Sequence, residues 1–191
     1  MRKLARALSA LTIMGLAMCR DAPTSQSRPS SPSAPSRDQA SPVQVFRVNL
    51  DEVNGSGVKA HATIQFNHGD LIVTLDAVGR VPGQIHPQHI HGFTNQASTC
   101  PTLANDTDGD GIISFAEGTP AFGPVQVDLL PYPTPANAAG ATTYRMTFVA
   151  SKVPFSVAEL TQKTMVLHGD FVGGSYVAGL PVACGRIEPI N

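Results

Sequence analysis

Two stretches of this chain carry side chains able to hold cations. His89 and His91 stand two residues apart, and on a β-strand that spacing puts both imidazoles on one face. Imidazole nitrogen suits copper and zinc alike, with copper(II) ahead on intrinsic affinity. Fifteen residues past His91, Asp106-Thr107-Asp108-Gly109-Asp110-Gly111-Ile112-Ile113-Ser114-Phe115-Ala116-Glu117 gathers four carboxylates into twelve residues. Four such groups repel one another unless a hard cation with oxygen ligands sits between them, which points to calcium.

The acidic stretch matches an EF-hand-type calcium loop position by position. Asp106, Asp108 and Asp110 stand at 1, 3 and 5, and Gly111 marks the sharp turn at 6. Ile112 offers its carbonyl at 7, Ser114 stands at 9 and Glu117 closes the loop at 12. Long amphipathic flanking helices are missing. Phe115 and Ala116 can begin one turn, which Gly118 and Pro120 should end. The expectation is therefore a structural calcium site rather than a sensor that opens a groove. Of the other histidines, His168 ends the apolar run Met165-Val166-Leu167, and His86 falls one strand face away from His89. His61 and His68 read as structural or exposed.

The elements that must position these groups are β-strands. Apolar residues recur at period two in Leu71–Leu75, Val125–Leu129 and Tyr144–Val149, as in sheets with one buried face. Strands are expected at 43–50, 57–66, 71–78, 85–91, 125–130, 143–150, 164–168 and 182–187. A turn is expected at Asn67-His68-Gly69-Asp70. Only Ser156–Gln162 reads as a helix, with Ser156 as N-cap and Glu159 three residues on. Strands joined by Gly/Pro turns indicate an all-β, antiparallel sandwich.

The chain has 191 residues and a formal net charge of −1. Residues 1–18 read as an export signal: Arg2, Lys3 and Arg6 precede the uncharged apolar run Ala7–Met18, which is too short for a permanent span. Leu16-Ala17-Met18-Cys19 resembles a bacterial lipobox, which makes Cys19 the lipidation site. A cut after Ala17 is the alternative. A lipid would anchor the protein to the cell envelope, periplasmic or at the surface, without spanning the membrane. Residues 19–41 are rich in Ser and Pro and read as a disordered tether. This leaves 42–191 as one domain. Without residues 1–18 the chain carries 10 Lys+Arg against 14 Asp+Glu, which excludes nucleic acid as the natural partner. Protein partners are not readable from the sequence. Cys100 and Cys184 are the two cysteines of the domain, and outside the cytoplasm they should pair.

The histidine region resembles copper/zinc superoxide dismutase. Ile85-His86-Pro87-Gln88-His89-Ile90-His91-Gly92-Phe93 stands where that family has His-Gly-Phe-His-x-His-x-Phe, and Cys100 follows nine residues after His91. Toward the C-terminus, Val166-Leu167-His168 and Ala183-Cys184-Gly185-Arg186-Ile187 stand where the family has a copper histidine and its second disulfide cysteine. The resemblance spans most of Val43 to Ile187 in order of elements and is specific at these two ends. It implies a Greek-key β-sandwich, a shared copper at His89, His91 and His168, and a Cys100–Cys184 disulfide.

The departures are equally informative. No histidine lies between His91 and His168, so the family's bridging histidine and zinc site are missing, and the acidic loop occupies that region. Pro181 stands where the family has its substrate-guiding arginine, and Arg186 is not an obvious substitute. The phrase Val78-Gly79-Arg80-Val81-Pro82-Gly83, leading into Gln88-His89-Ile90-His91-Gly92, also resembles the CHRD domain, an exported module generally without assigned catalysis. Two readings follow. The first is an exported, lipid-anchored module that binds calcium and a His-ligated transition metal without catalysis. The alternative is a copper-dependent oxidoreductase using three histidines. Zinc hydrolysis ranks lower, because the sequence offers no obvious general acid beside the site.

Overall fold

A computed structural model describes residues 42–190. The export signal, the tether and Cys19 lie outside the described residues. The strands are β1 (Gln44–Glu52), β2 (Lys59–Asn67), β3 (Asp70–Val78), β4 (Gln88–His91), β5 (Val125–Asp128), β6 (Thr142–Phe148), β7 (Thr164–Val172), β8 (Ser175–Arg186) and β9 (Glu188–Pro189). Two short helices, α1 (Phe115–Phe122) and α2 (Val157–Leu160), interrupt them. Every strand pair is antiparallel, and the sheet runs β5-β4-β7-β8-β1-β2-β3-β6, with β9 beside β1. The protein is thus all-β in its framework, a curled antiparallel sheet forming a half-barrel.

Alternation produces the core. Phe46, Val48 and Leu50 of β1 and Leu71, Val73, Leu75 and Ala77 of β3 point inward from every second position. They meet Ile90 of β4, Met165 and Leu167 of β7 and Val182 of β8. Strand β7 is buried on both faces from Thr164 to Gly169. Its outer face, with Val166, is covered by a second cluster of Val53, Ile113, Phe122 and Cys184. The excursion between β4 and β5 supplies Ile113 and Phe122 of that cover. It is tied to β8 by the Cys100–Cys184 disulfide, whose Cα atoms are 5.6 Å apart.

Several elements differ from expectation. Residues 85–87 do not join β4, because Pro87 has no N–H to donate and the His86 N–H bonds Pro133 O outside the sheet. Strands β7 and β8 run longer and meet in a hairpin at Gly173-Gly174, both with positive φ as a tight primed turn demands. Helix α1 runs through Gly118 and Pro120 to Phe122, eight residues in all. A Cβ at Gly118 would fall 2.4 Å from the Phe122 ring, so the glycine lets that ring fold back beneath the helix. The turn at Asn67–Asp70 forms with His68 and Gly69 at positive φ. Helix α2 starts at the capping box of Ser156 and Glu159.

Candidate metal centre

Strand register assembles the histidines. His89 pairs with Val166 and His91 with Thr164, so positions 89, 91, 164 and 166 share the outer face of the sheet. His168 continues that parity. The register slips on either side of it, and Gly169 follows at φ 107°. Such a bulge re-aims the side chain beside it. Only glycine fits at 169: besides the unfavourable φ, a Cβ there would lie 2.1 Å from the Tyr176 hydroxyl. The ring centroids of His89, His91 and His168 are 5.0–5.6 Å apart, and one nitrogen from each lies within 4.8 Å of the others.

The hydrogen bonds decide which nitrogen that is. His91 Nδ1 donates to the Gly123 carbonyl at 2.9 Å, and His168 Nδ1 donates to the Gly179 carbonyl at 3.0 Å. A carbonyl only accepts, so both rings carry the proton on Nδ1 and keep a lone pair on Nε2. His89 is turned the other way. Its Nε2 lies 3.0 Å from the Tyr132 hydroxyl, which itself donates to Asp128, and 3.4 Å from Asp128 Oδ1. The lone pair of His89 is therefore on Nδ1. His89 Nδ1, His91 Nε2 and His168 Nε2 are all buried without a partner. Three inward lone pairs, each fixed by an acceptor on the far side of its ring, are the donor set a metal ion takes from histidine.

The electrostatics agree with this arrangement. Burial pushes His91 down to about 4, with its neighbour His89 adding to the effect and the Gly123 carbonyl opposing it. Burial, followed by the two neighbouring imidazoles, holds His168 well below its ordinary value. Burial lowers His89 as well, against the pull of Asp128. All three rings are neutral at pH 7, the form that binds metal. Phe122 packs at 4.5 Å from His91, and Phe115 lies 5.7 Å from His168, so α1 roofs the group with aromatic carbon. The side chain of His89 retains 12% exposure, while its inward nitrogen is buried.

The other histidines stay apart. Both ring nitrogens of buried His86 face carbonyls, of His168 and of Val81. His68 is exposed at its turn, and exposed His61 lies 3.7 Å from Asp76. A cleft of about 580 Å³ on the β2–β3–β6 face, lined by His61, Asp76 and Thr143, includes none of the triad.

The acidic loop is built differently. Oxygens of Asp106, Asp108 and Glu117 lie within 4.8 Å of one another, and Asp110 is not part of that group. The loop is held by its own backbone. Asp106 accepts from the Gly109 and Gly111 amides at 2.8 Å, and Asp110 accepts from the Ile112 amide at 2.7 Å. One Glu117 oxygen accepts from Thr107, through its amide and hydroxyl, and the other accepts from Ser114 in the same two ways. Those amides, Ser114 first, push Glu117 down to about 2.

Sequence reasoning missed the residues that hold these groups. Asn54, in the turn after β1, bonds both the N–H and the carbonyl of Ile113 and also reaches Pro181 O, pinning the loop's exit to the sheet. Gly123 closes α1 at φ 80° and turns its carbonyl to His91. Tyr132 and Asp128 orient His89. Asn54, Gly123 and Tyr132 lie in turns and caps, where period-two patterning carries no signal. Comparison with protein-family models finds no match for this chain, and comparison with curated proteins finds none.

Proposed function

We propose that this chain is an exported, lipid-anchored module, superoxide dismutase-like and CHRD-like in its β-sandwich, that holds one transition metal ion at His89, His91 and His168 and calcium in its acidic loop, without catalysis. The observation that carries the metal is the set of three buried, unpartnered imidazole nitrogens, one from each of these residues. Copper fits best, with zinc second, because all three donors are neutral imidazoles. A bound metal would supply a fixed positive charge cross-linking β4 to β7. The protein's own residues set the tautomers and exclude water.

The calcium reading rests on the complete loop spacing and on the gathering of Asp106, Asp108 and Glu117. Asp110, Ile112 and Ser114 belong to the same ligand set by position. Among the described residues no helix is long and apolar enough to cross a membrane. Anchoring through a lipid on Cys19 rests on the lipobox-like Leu16-Ala17-Met18-Cys19, and the disulfide suits a bacterial envelope location, periplasmic or at the cell surface.

A second reading is a copper-dependent oxidoreductase. It is favoured by the number of donors, since three protein ligands leave a coordination position for a small oxidant. Against it stands Pro181 in place of a guiding arginine. One experiment separates the two: load the full chain with copper, measure stoichiometry, and assay superoxide dismutation beside His89→Ala. Stoichiometric copper with no activity above the variant supports the module. Activity lost in the variant supports the enzyme. Failure of the protein to take up one transition metal ion per chain overturns both.

A further inference from the structure

Arg80 heads the fully buried side chains of the described residues, with 1% of its surface exposed. It follows β3, and its backbone is fixed by a bond from its N–H to the Gly140 carbonyl. Its side chain makes one hydrogen bond: Nη2 donates to Gln88 Oε1 at 2.9 Å. Arg80 Nε and Nη1 have no acceptor, and neither does the amide nitrogen of Gln88. Three buried donor atoms of one bonded pair are therefore unpartnered, and no carboxylate forms an ion pair with the guanidinium among the described residues.

Physical chemistry does not leave a buried charge in that state. Burial lowers Arg80 only to about 10, so it remains a cation at neutral pH. Donors without acceptors call for an acceptor, and an uncompensated cation calls for negative charge. The backbone oxygens of Val81 and His168 face His86 and that of Ile85 accepts from Tyr176, so none of them bonds the guanidinium. A water molecule would supply only an acceptor, whereas a halide-sized anion supplies the acceptor and the missing negative charge.

We propose that Arg80 and Gln88 form a buried site for one small inorganic anion of the halide class. The site is separate from the histidine group. Gln88 pairs with Leu167 and points to the core face of β4, opposite to His89 and His91. The anion would complete the polar end of an otherwise apolar core.

The test uses crystals of the full chain grown in sodium bromide. An anomalous bromide peak within hydrogen-bond distance of Arg80 Nε or Nη1 is expected, and water alone at those atoms overturns the proposal. In solution, the melting temperature should rise with the logarithm of chloride or bromide concentration, relative to gluconate at equal ionic strength. Arg80→Met should abolish that difference, and Arg47→Met, at an exposed site, should keep it. Equal melting in halide and gluconate, or a halide effect that survives Arg80→Met, overturns the site. If Arg80→Met does not fold, the bromide map of the unaltered protein decides.

Discussion

The histidine group and the acidic loop are neighbours joined by α1, and they are built on opposite plans. The histidines come from two strands separated by more than seventy residues of sequence, and they are buried, neutral and locked into tautomers by acceptors outside the group. The carboxylates come from one contiguous loop, are largely exposed, and are held by the loop's own amides. The first is preorganised by tertiary structure and offers unshared lone pairs. The second is preorganised by local turns, and part of its acceptor capacity is already used. A soft or borderline metal in a dry site and a hard cation at a wet surface need those two plans respectively.

The largest effect should come from the tie that holds both. Reducing the disulfide, or Cys100→Ser, frees a segment closed over a separation of 84 residues. The chain-entropy model puts the loss at about 4–5 kcal/mol. Denaturant unfolding should show it, and an unchanged midpoint would mean that the excursion docks without the bond. Next, His168→Ala should abolish stoichiometric transition-metal binding by calorimetry and leave calcium binding intact. Loss of both would show that the two sites are not independent.

Asp128→Asn should weaken transition-metal affinity by about 10–100-fold, since it disturbs only the partner that orients His89. An affinity equal to that of the unaltered protein would remove Asp128 and Tyr132 from the site. In the metal-free protein, His91 titrates at about 4 when folded and near 6.5 when unfolded. The unfolded chain thus binds more protons between those values, so stability is full above pH 6.5 and falls as the pH drops toward 4. Thermal melts across that window should show the decline, and His91→Gln should make it shallower, with His89 and His168 supplying the remainder. Smallest should be the calcium effect. Chelation should lower the melting temperature by a few degrees, of the size mass-action linkage gives for a weak site, and Asp106→Ala should remove the chelator's effect.

Legibility followed the same division. The twelve-residue loop was legible as a candidate cation site, because its carboxylates, its turn and its closing glutamate lie within one short stretch, and the structure gathers Asp106, Asp108 and Glu117 of it. The strand pattern was readable wherever one face is buried, as in β1 and β3. It failed at β4, where Pro87 and buried His86 break the alternation, and at the Gly173-Gly174 hairpin, which lengthens β7 and β8 beyond their apolar cores.

By itself, the sequence determined the β-rich class, the two sets of side chains able to hold a cation and the cysteine pair, since each depends on residue type and short-range spacing. Only the tertiary structure decided that His168 meets His89 and His91, that their free nitrogens point inward, and that Asp110 stands apart from its fellow carboxylates. The physical reason is that register, bulges and helix caps act through backbone carbonyls and amides, which every residue carries and no side-chain pattern records.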